Sequence, residues 1–218
     1  VCKIFQGIKG AIFDLDGTLV DSMGVWESVD VKFLLKRGIE VPANIMEVLR
    51  GLTFEDCARY FKKQFGLSET IYEIMDEWNQ MALYEYQHNV GLKSGAKEYL
   101  AYLKEKGMKI GLATTNIPDL LYTSLEKNNI LDYFDAITTV GEVERNKNFP
   151  DVFLLAARKL ELKPSQCMVF EDILPAIHSA NKAGMKTVGV YDLYSEYQVE
   201  EIKKHADYFI YDYNFLME

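Results

Sequence analysis

Gly10-Ala11-Ile12-Phe13-Asp14-Leu15-Asp16-Gly17-Thr18-Leu19-Val20-Asp21-Ser22 is the stretch on which fold and chemistry both turn. Gly10 to Phe13 reads as a short buried strand, and it runs directly into two carboxylates. Ligands of open α/β sheets bind just past the carboxyl ends of such strands. At roughly 5 to 7% usage for each fixed residue, Asp-x-Asp-Gly-Thr arises by chance on the order of once in 100,000 positions. A calcium loop is a poor alternative. It needs acidic or amide side chains at its first, third and fifth positions, with glycine only at the sixth. Here Thr18 stands fifth, the glycine comes too early, and a strand precedes the acids where a calcium loop has a helix.

Working outward, similar apolar runs lie at Lys109 to Ala113, Ala136 to Val140, Met168 to Phe170, Thr187 to Val190 and Tyr208 to Ile210. Helical patterns separate most of them. Ser94 is placed to cap a helix with Ala96, Tyr99, Leu100 and Leu103 on one face and Gly107 as its stop. Pro118 and Pro150 fall where a first helical residue belongs, and Gly184 ends a segment with Ile173, Ile177 and Ala180 on one face. Strand and helix alternating this way predict an α/β fold, a doubly wound and mostly parallel sheet covered on both sides.

From about Asp21 to Gly91 the strand rhythm stops. Trp26, Val29 and Phe33 share a helical face, Thr53 can cap the next helix, and Ile71, Ile74, Met75, Trp78 and Met81 recur at helical spacing. These stripes predict a second, smaller core. The expected organisation is a catalytic core of residues 1–20 and 92–218 with a helical domain of residues 21–91 inserted.

With 218 residues, 49% of them hydrophobic, the chain can bury a sizeable core. The net charge of -9 and the absence of a dense basic run oppose nucleic acid and anionic membrane surfaces, so an anionic substrate must be attracted locally. Cys2, Cys57 and Cys167 are scattered, which fits neither a disulfide framework nor a zinc site and suits a reducing cytoplasm. No run approaches the roughly 20 apolar residues of a membrane span, and the first residues lack a signal-peptide pattern. Val1 in place of an initiator Met leaves the natural N-terminus open. His88, His178 and His205 read as isolated, none a ligand or base.

Three later segments share the same chemistry. Thr114-Thr115-Asn116 closes the second core strand, Lys147 stands shortly before Pro150-Asp151, and Glu171-Asp172 closes the run Met168 to Phe170. Together with Asp14-x-Asp16-Gly17-Thr18, they closely resemble the haloacid dehalogenase superfamily, in its branch with a helical cap after the first motif. The branch is similar to β-phosphoglucomutases and phosphoglycolate phosphatases. The resemblance spans essentially the whole chain and implies a Rossmann-like core.

The resemblance also implies roles. Asp14 would be the nucleophile and Asp16 the general acid and base, and the second aspartate points to phosphoryl transfer rather than dehalogenation. The Thr114 hydroxyl and the N–H that follows, with Thr115 and Asn116, would hold a phosphate oxygen, and Lys147 would offset the charge of nucleophile and phosphate. Mg²⁺ would be held by Asp14, the Asp16 backbone carbonyl and Asp172, with Glu171 holding a metal-bound water. The family usually has Pro directly after the lysine, where this chain has Asn148.

Substrate choice would fall to the cap, with Met23, Trp26, Arg50, Thr53 and Phe54 as candidates. Cap packing is the competing reading of Trp26 and Phe54. β-Phosphoglucomutases use a histidine, an arginine and a lysine where this chain has Trp26, Phe54 and, approximately, Gln80. The favoured reading is therefore a Mg²⁺-dependent phosphatase for a small phosphorylated metabolite such as a sugar phosphate. A mutase and a catalytically silent binding protein on the same fold are the alternatives.

Overall fold

The computed structural model describes residues 6–49 and 52–217. Its strands are β1 (Gly10–Phe13), β2 (Lys109–Thr114), β3 (Ala136–Thr139), β4 (Cys167–Glu171), β5 (Lys186–Val190) and β6 (Tyr208–Ile210). They form one six-stranded sheet in the order β3-β2-β1-β4-β5-β6. Every pairing is parallel, as buried, β-branched strands joined by helices require. The chain winds outward through β2 and β3, recrosses β1, and winds the other way through β4, β5 and β6. The reversal opens a crevice at the carboxyl ends of β1 and β4, where such sheets bind ligands.

The helices are α1 (Gly24–Lys36), α2 (Ile45–Leu49), α3 (Phe54–Phe65), α4 (Ile71–His88), α5 (Ala96–Glu105), α6 (Pro118–Lys127), α7 (Asp151–Lys159), α8 (Leu174–Lys182) and α9 (Val199–His205). Successive strand residues face opposite sides of the sheet. Thus Ile12 and Val169 join Val152, Phe153, Ala156 and Ala157 of α7 and Ala176 and Ala180 of α8 in one core cluster. Phe13 and Phe170, one residue on, stack with ring centroids 4.4 Å apart, and Tyr99 of α5 and Tyr213 pack around them.

Chain contacts divide the protein into two compact units, one of Met23–Asn89 and the other of the residues before and after it. Residues 20–22 and 90–92 stay with the sheet for a local reason. The Asp21 N–H donates to the Gly91 carbonyl at 3.0 Å, and Val20 forms a bridge with Leu92.

Within Met23–Asn89 the core is aromatic, with Phe33, Phe61 and Trp78 meeting in edge-on pairs 4.9–5.9 Å apart. Thr53 caps α3 by accepting the Asp56 N–H, and Thr70 and Glu73 form a capping box at α4. Arg37, lying over the Phe33 ring, ties α1 to Glu69 and Glu77 at 2.7 and 2.6 Å.

Four expectations shift. α5 is capped by Gly95, whose positive φ of 74° a side chain would resist, while the Ser94 hydroxyl accepts from the Asn214 amide. Pro150 immediately precedes α7 rather than opening it. The buried stripe of α4 is Ile74, Trp78, Ala82 and Tyr86, because a four-residue step faces α1 and α3 more squarely than the stripe with Ile71, Met75 and Met81, which stay half-buried. His178 and His205 are not isolated, since α8 and α9 bring their rings to 4.6 Å.

One acid of α1 is costly. Burial, and next the charge of Glu27, push the Asp30 carboxyl up to about 7. Between pH 4 and 7 the folded state then binds a proton that the unfolded chain has lost, so stability falls as pH rises through that window. Asp30→Asn is expected to stabilise the protein at pH 8 by about 2 kcal/mol, the full shift being discounted for solvent at a half-buried site. At pH 3.5 it should change nothing. Thermal unfolding at the two pH values checks both statements.

Candidate active site

The acids of the first motif sit on a loop held by its own apolar residues. The Asp14 N–H donates to the Phe170 carbonyl at 3.0 Å, extending the β1–β4 ladder so that Asp14 lies beside Glu171. The chain then wraps the Leu15 carbonyl, which accepts from the N–H groups of Leu19 and Val20 at 2.9 and 3.0 Å, while Leu15 and Leu19 are fully buried. So tight a wrap needs a left-handed residue, and Gly17 supplies it with a φ of 79°. Asp16 is held on both oxygens, by the Ser22 hydroxyl at 2.6 Å and the Asn116 amide at 2.8 Å.

At the mouth of β1 and β4, Asp14, Glu171 and Asp172 each bring one carboxylate oxygen within 4.8 Å of the others. All three are buried, at 5%, 1% and 3% exposure. Lys147, also buried, donates through Nζ to Asp14 Oδ1 and, at 2.6 Å, to Glu171 Oε1. Burial alone would lower the lysine's pKa, but the Asp14 and Glu171 charges outweigh it and hold the ammonium well above its ordinary range. Burial drives Glu171 upward against the pull of Lys147. It drives Asp172 well above the usual carboxylate range, reinforced by the charges of Glu171, Asp14 and Asp192.

The charge count shows what the site lacks. Among the described residues three carboxylates face one ammonium, so full ionisation would leave two buried negative charges unmatched, and Glu171 and Asp172 respond with raised pKa values. Buried charge persists only when paired or bound to metal. An all-oxygen donor set short of two positive charges fits a hard divalent cation. Asp14, Glu171 and Asp172 are the residues that could hold it.

The other sequence candidates divide by place. Thr114 is fully buried at the end of β2 with its hydroxyl accepting the Asn116 N–H at 3.0 Å; Thr115 is exposed; Asn116 turns its amide to Asp16. Lys147 is the buried residue of an otherwise exposed stretch, and the loop is organised without proline. The Asn148 N–H donates to Asn146 Oδ1 at 3.1 Å, a bond that proline could not make.

Trp26, Thr53 and Phe54 belong to the other unit, where Phe54 packs edge-on against Trp26 at 5.3 Å and tilted against Trp78 at 5.5 Å, and Thr53 caps α3. Met23 directly precedes α1. Arg50 lies outside the described residues.

Sequence reasoning assigned no role to Ser22, although it stands in the quoted motif. It also missed Asp192, almost fully buried, whose carboxylate pairs with Lys93 at 2.7 Å and whose charge reaches Asp172. A lone Lys and a lone Asp 99 residues apart carry no pattern that could have found the pair.

A sheet that gathers buried acids and a lysine at its switch point, after a helical insertion between β1 and β2, defines a class of doubly wound α/β protein whose acidic centre suits a divalent cation. Residues 11–190 match the family model described as haloacid dehalogenase-like hydrolase. Hexitol phosphatase B of Escherichia coli (strain K12) is 26% identical, over 84% of this chain and 83% of its own. Beta-phosphoglucomutase of Bacillus subtilis (strain 168) is 31% identical, over 84% of this chain and 83% of its own. The crystal structure of β-phosphoglucomutase from Clostridium difficile is similar with a TM-score of 0.73 at 26% identity, covering 96% of this chain and 93% of that one. The chain belongs to the haloacid dehalogenase-like hydrolase family. Among the described residues no helix is long and apolar enough to cross a membrane.

Proposed function

We propose that the protein is a Mg²⁺-dependent phosphatase for a small phosphorylated metabolite, a sugar phosphate being the favoured class, working through an aspartyl-phosphate on Asp14. The observation that carries this reading is the buried cluster of Asp14, Glu171 and Asp172 bridged by Lys147. The phosphatase and sugar-phosphate names of the relatives point the same way.

Bound Mg²⁺ would supply positive charge that lets an anionic carboxylate meet an anionic phosphate. Asp14 and Asp172 would hold it through their carboxylates and Asp16 through its backbone carbonyl, with Glu171 holding a water beside it. Asp14 attacks phosphorus in line as the bond to the leaving oxygen breaks, and Asp16 passes its proton to that oxygen. Asp16 then takes a proton from the water that attacks the phosphorus, and Asp14 leaves as a carboxylate. Ser22 and Asn116 aim Asp16, one on each oxygen. Lys147 keeps the nucleophile in place and offsets charge in the transition state. Thr114, Thr115 and Asn116 would hold the phosphoryl oxygens, and Trp26, Arg50, Thr53 and Phe54 are assigned to selecting the rest of the substrate.

The test is phosphate release from an aryl phosphate with and without Mg²⁺, followed by a panel of sugar phosphates. Release that requires Mg²⁺ is expected, and equal release in a chelator sinks the reading. The mutase alternative rests on the likeness to the Bacillus subtilis enzyme. Conversion of β-glucose 1-phosphate to the 6-phosphate with a bisphosphate primer, without net phosphate release, would favour it. A folded protein that binds such phosphates but turns none over would be the silent binding protein.

A further inference from the structure

Tyr213 lies beyond the last strand, far in sequence from every motif residue, yet it is fully buried. Its ring packs with Phe13, Tyr99 and Phe170 beneath the acidic cluster. Its hydroxyl donates to the Thr18 carbonyl at 3.1 Å, across 195 residues of chain. Among the described residues no backbone N–H reaches that carbonyl, so the tyrosine is what satisfies it. Thr18 in turn directs its own hydroxyl to Asp172 Oδ1 at 3.4 Å.

The segment is anchored on its other side as well. The Tyr213 N–H donates to the Ser94 carbonyl at 3.1 Å, and the Asn214 amide to the Ser94 hydroxyl at 2.9 Å. At Gly95 the backbone passes so close that an added Cβ would stand 2.7 Å from Asn214. Tyr213 is thus held from behind while it holds the nucleophile loop in front. Burial first, and then Tyr99 and the acids of the site, keep the phenol's pKa well above its ordinary value, so it remains a donor at every working pH.

We infer that Tyr213 is a positioning residue of the active site, fixing the Asp14–Val20 loop through the Thr18 carbonyl and, by way of the Thr18 hydroxyl, the Asp172 carboxylate. The inference rests on the proposed function for its effect on turnover, but its effect on cation binding stands apart from it. Tyr99 provides the control, because it lies in the same ring cluster, is equally buried, and its hydroxyl has no hydrogen-bond partner among the described residues. Tyr99→Phe deletes a buried hydroxyl without breaking a bond, whereas Tyr213→Phe deletes one that holds the loop.

The experiment titrates Mg²⁺ alone into the full chain and each variant by calorimetry, then measures kcat and KM on an aryl phosphate. Tyr213→Phe is expected to weaken Mg²⁺ binding and lower kcat by about three- to tenfold each, as loss of one buried hydrogen bond implies, with KM within about twofold. Tyr99→Phe should match the parent on all three. Mg²⁺ affinity and kcat of Tyr213→Phe equal to the parent, or lowered no more than those of Tyr99→Phe, would overturn the inference. Should the parent release no phosphate, the phosphatase reading fails, while the Mg²⁺ titrations still decide whether Tyr213 positions the site.

Discussion

Asp14→Asn is expected to lower phosphate release by roughly 10⁴-fold or more while leaving the protein folded, because an amide of nearly the same shape cannot attack phosphorus. The fold should survive for an electrostatic reason. Asp14 is one of three buried acids facing a single lysine, and the amide removes a negative charge from a cluster that has too many. The amide oxygen can still accept from Lys147, so the pairing geometry persists. Thermal unfolding should show a midpoint equal to or above the parent's without metal. Ordinary turnover by a folded, sequence-verified Asp14→Asn variant would show that the nucleophile lies elsewhere.

Lys147→Met should damage both stability and catalysis. The thioether fills similar space but leaves Asp14 and Glu171 without their shared cation, and both are buried. Breaking a buried ion pair by removing one partner typically costs about 3 to 5 kcal/mol, so a midpoint drop of many degrees is expected at pH 8. Turnover should fall by about 10² to 10³-fold, the usual loss when a preorganised donor to a transition state is deleted. Added Mg²⁺ should recover part of the stability, since it binds only the folded arrangement. A variant with the parent's midpoint and turnover would make the buried pair irrelevant to both. Arginine is not a gentle substitute, because its planar fork is larger and shaped differently from an ammonium held between two acids.

Much of this site was legible because its parts are local. Each motif is a short buried run followed by polar residues, and a doubly wound sheet places the carboxyl ends of such runs at one edge, so Asp14, Thr114 and Glu171-Asp172 had to lie near that edge once the strands were identified. The same local logic read Thr53 as a cap and Pro118 as the opening of α6. It failed at Ser94 and Gly95, where the positive φ that suits a glycine, and contact with a distant asparagine, outweighed serine's capping preference. In α4 it found Ile74 and Trp78 but not Ala82 and Tyr86, because the neighbours decide which side of a broadly apolar helix is covered. Asn148 stands where the family usually has proline, and the bond that orders the loop in its place, from the Asn148 N–H to Asn146 Oδ1, depends on how the folded loop turns.

Composition, periodicity and motif order were enough to determine a parallel α/β core, a helical insertion after the first strand, and the acids and lysine that meet at the sheet edge. Only the folded chain decided what surrounds them: Ser22 and Asn116 on the two oxygens of Asp16, Asp192 near Asp172, and Tyr213 under Thr18. The physical reason is that periodicity and turn chemistry act over a few residues, whereas a side chain 195 positions away finds its partner only through the path of the backbone between them.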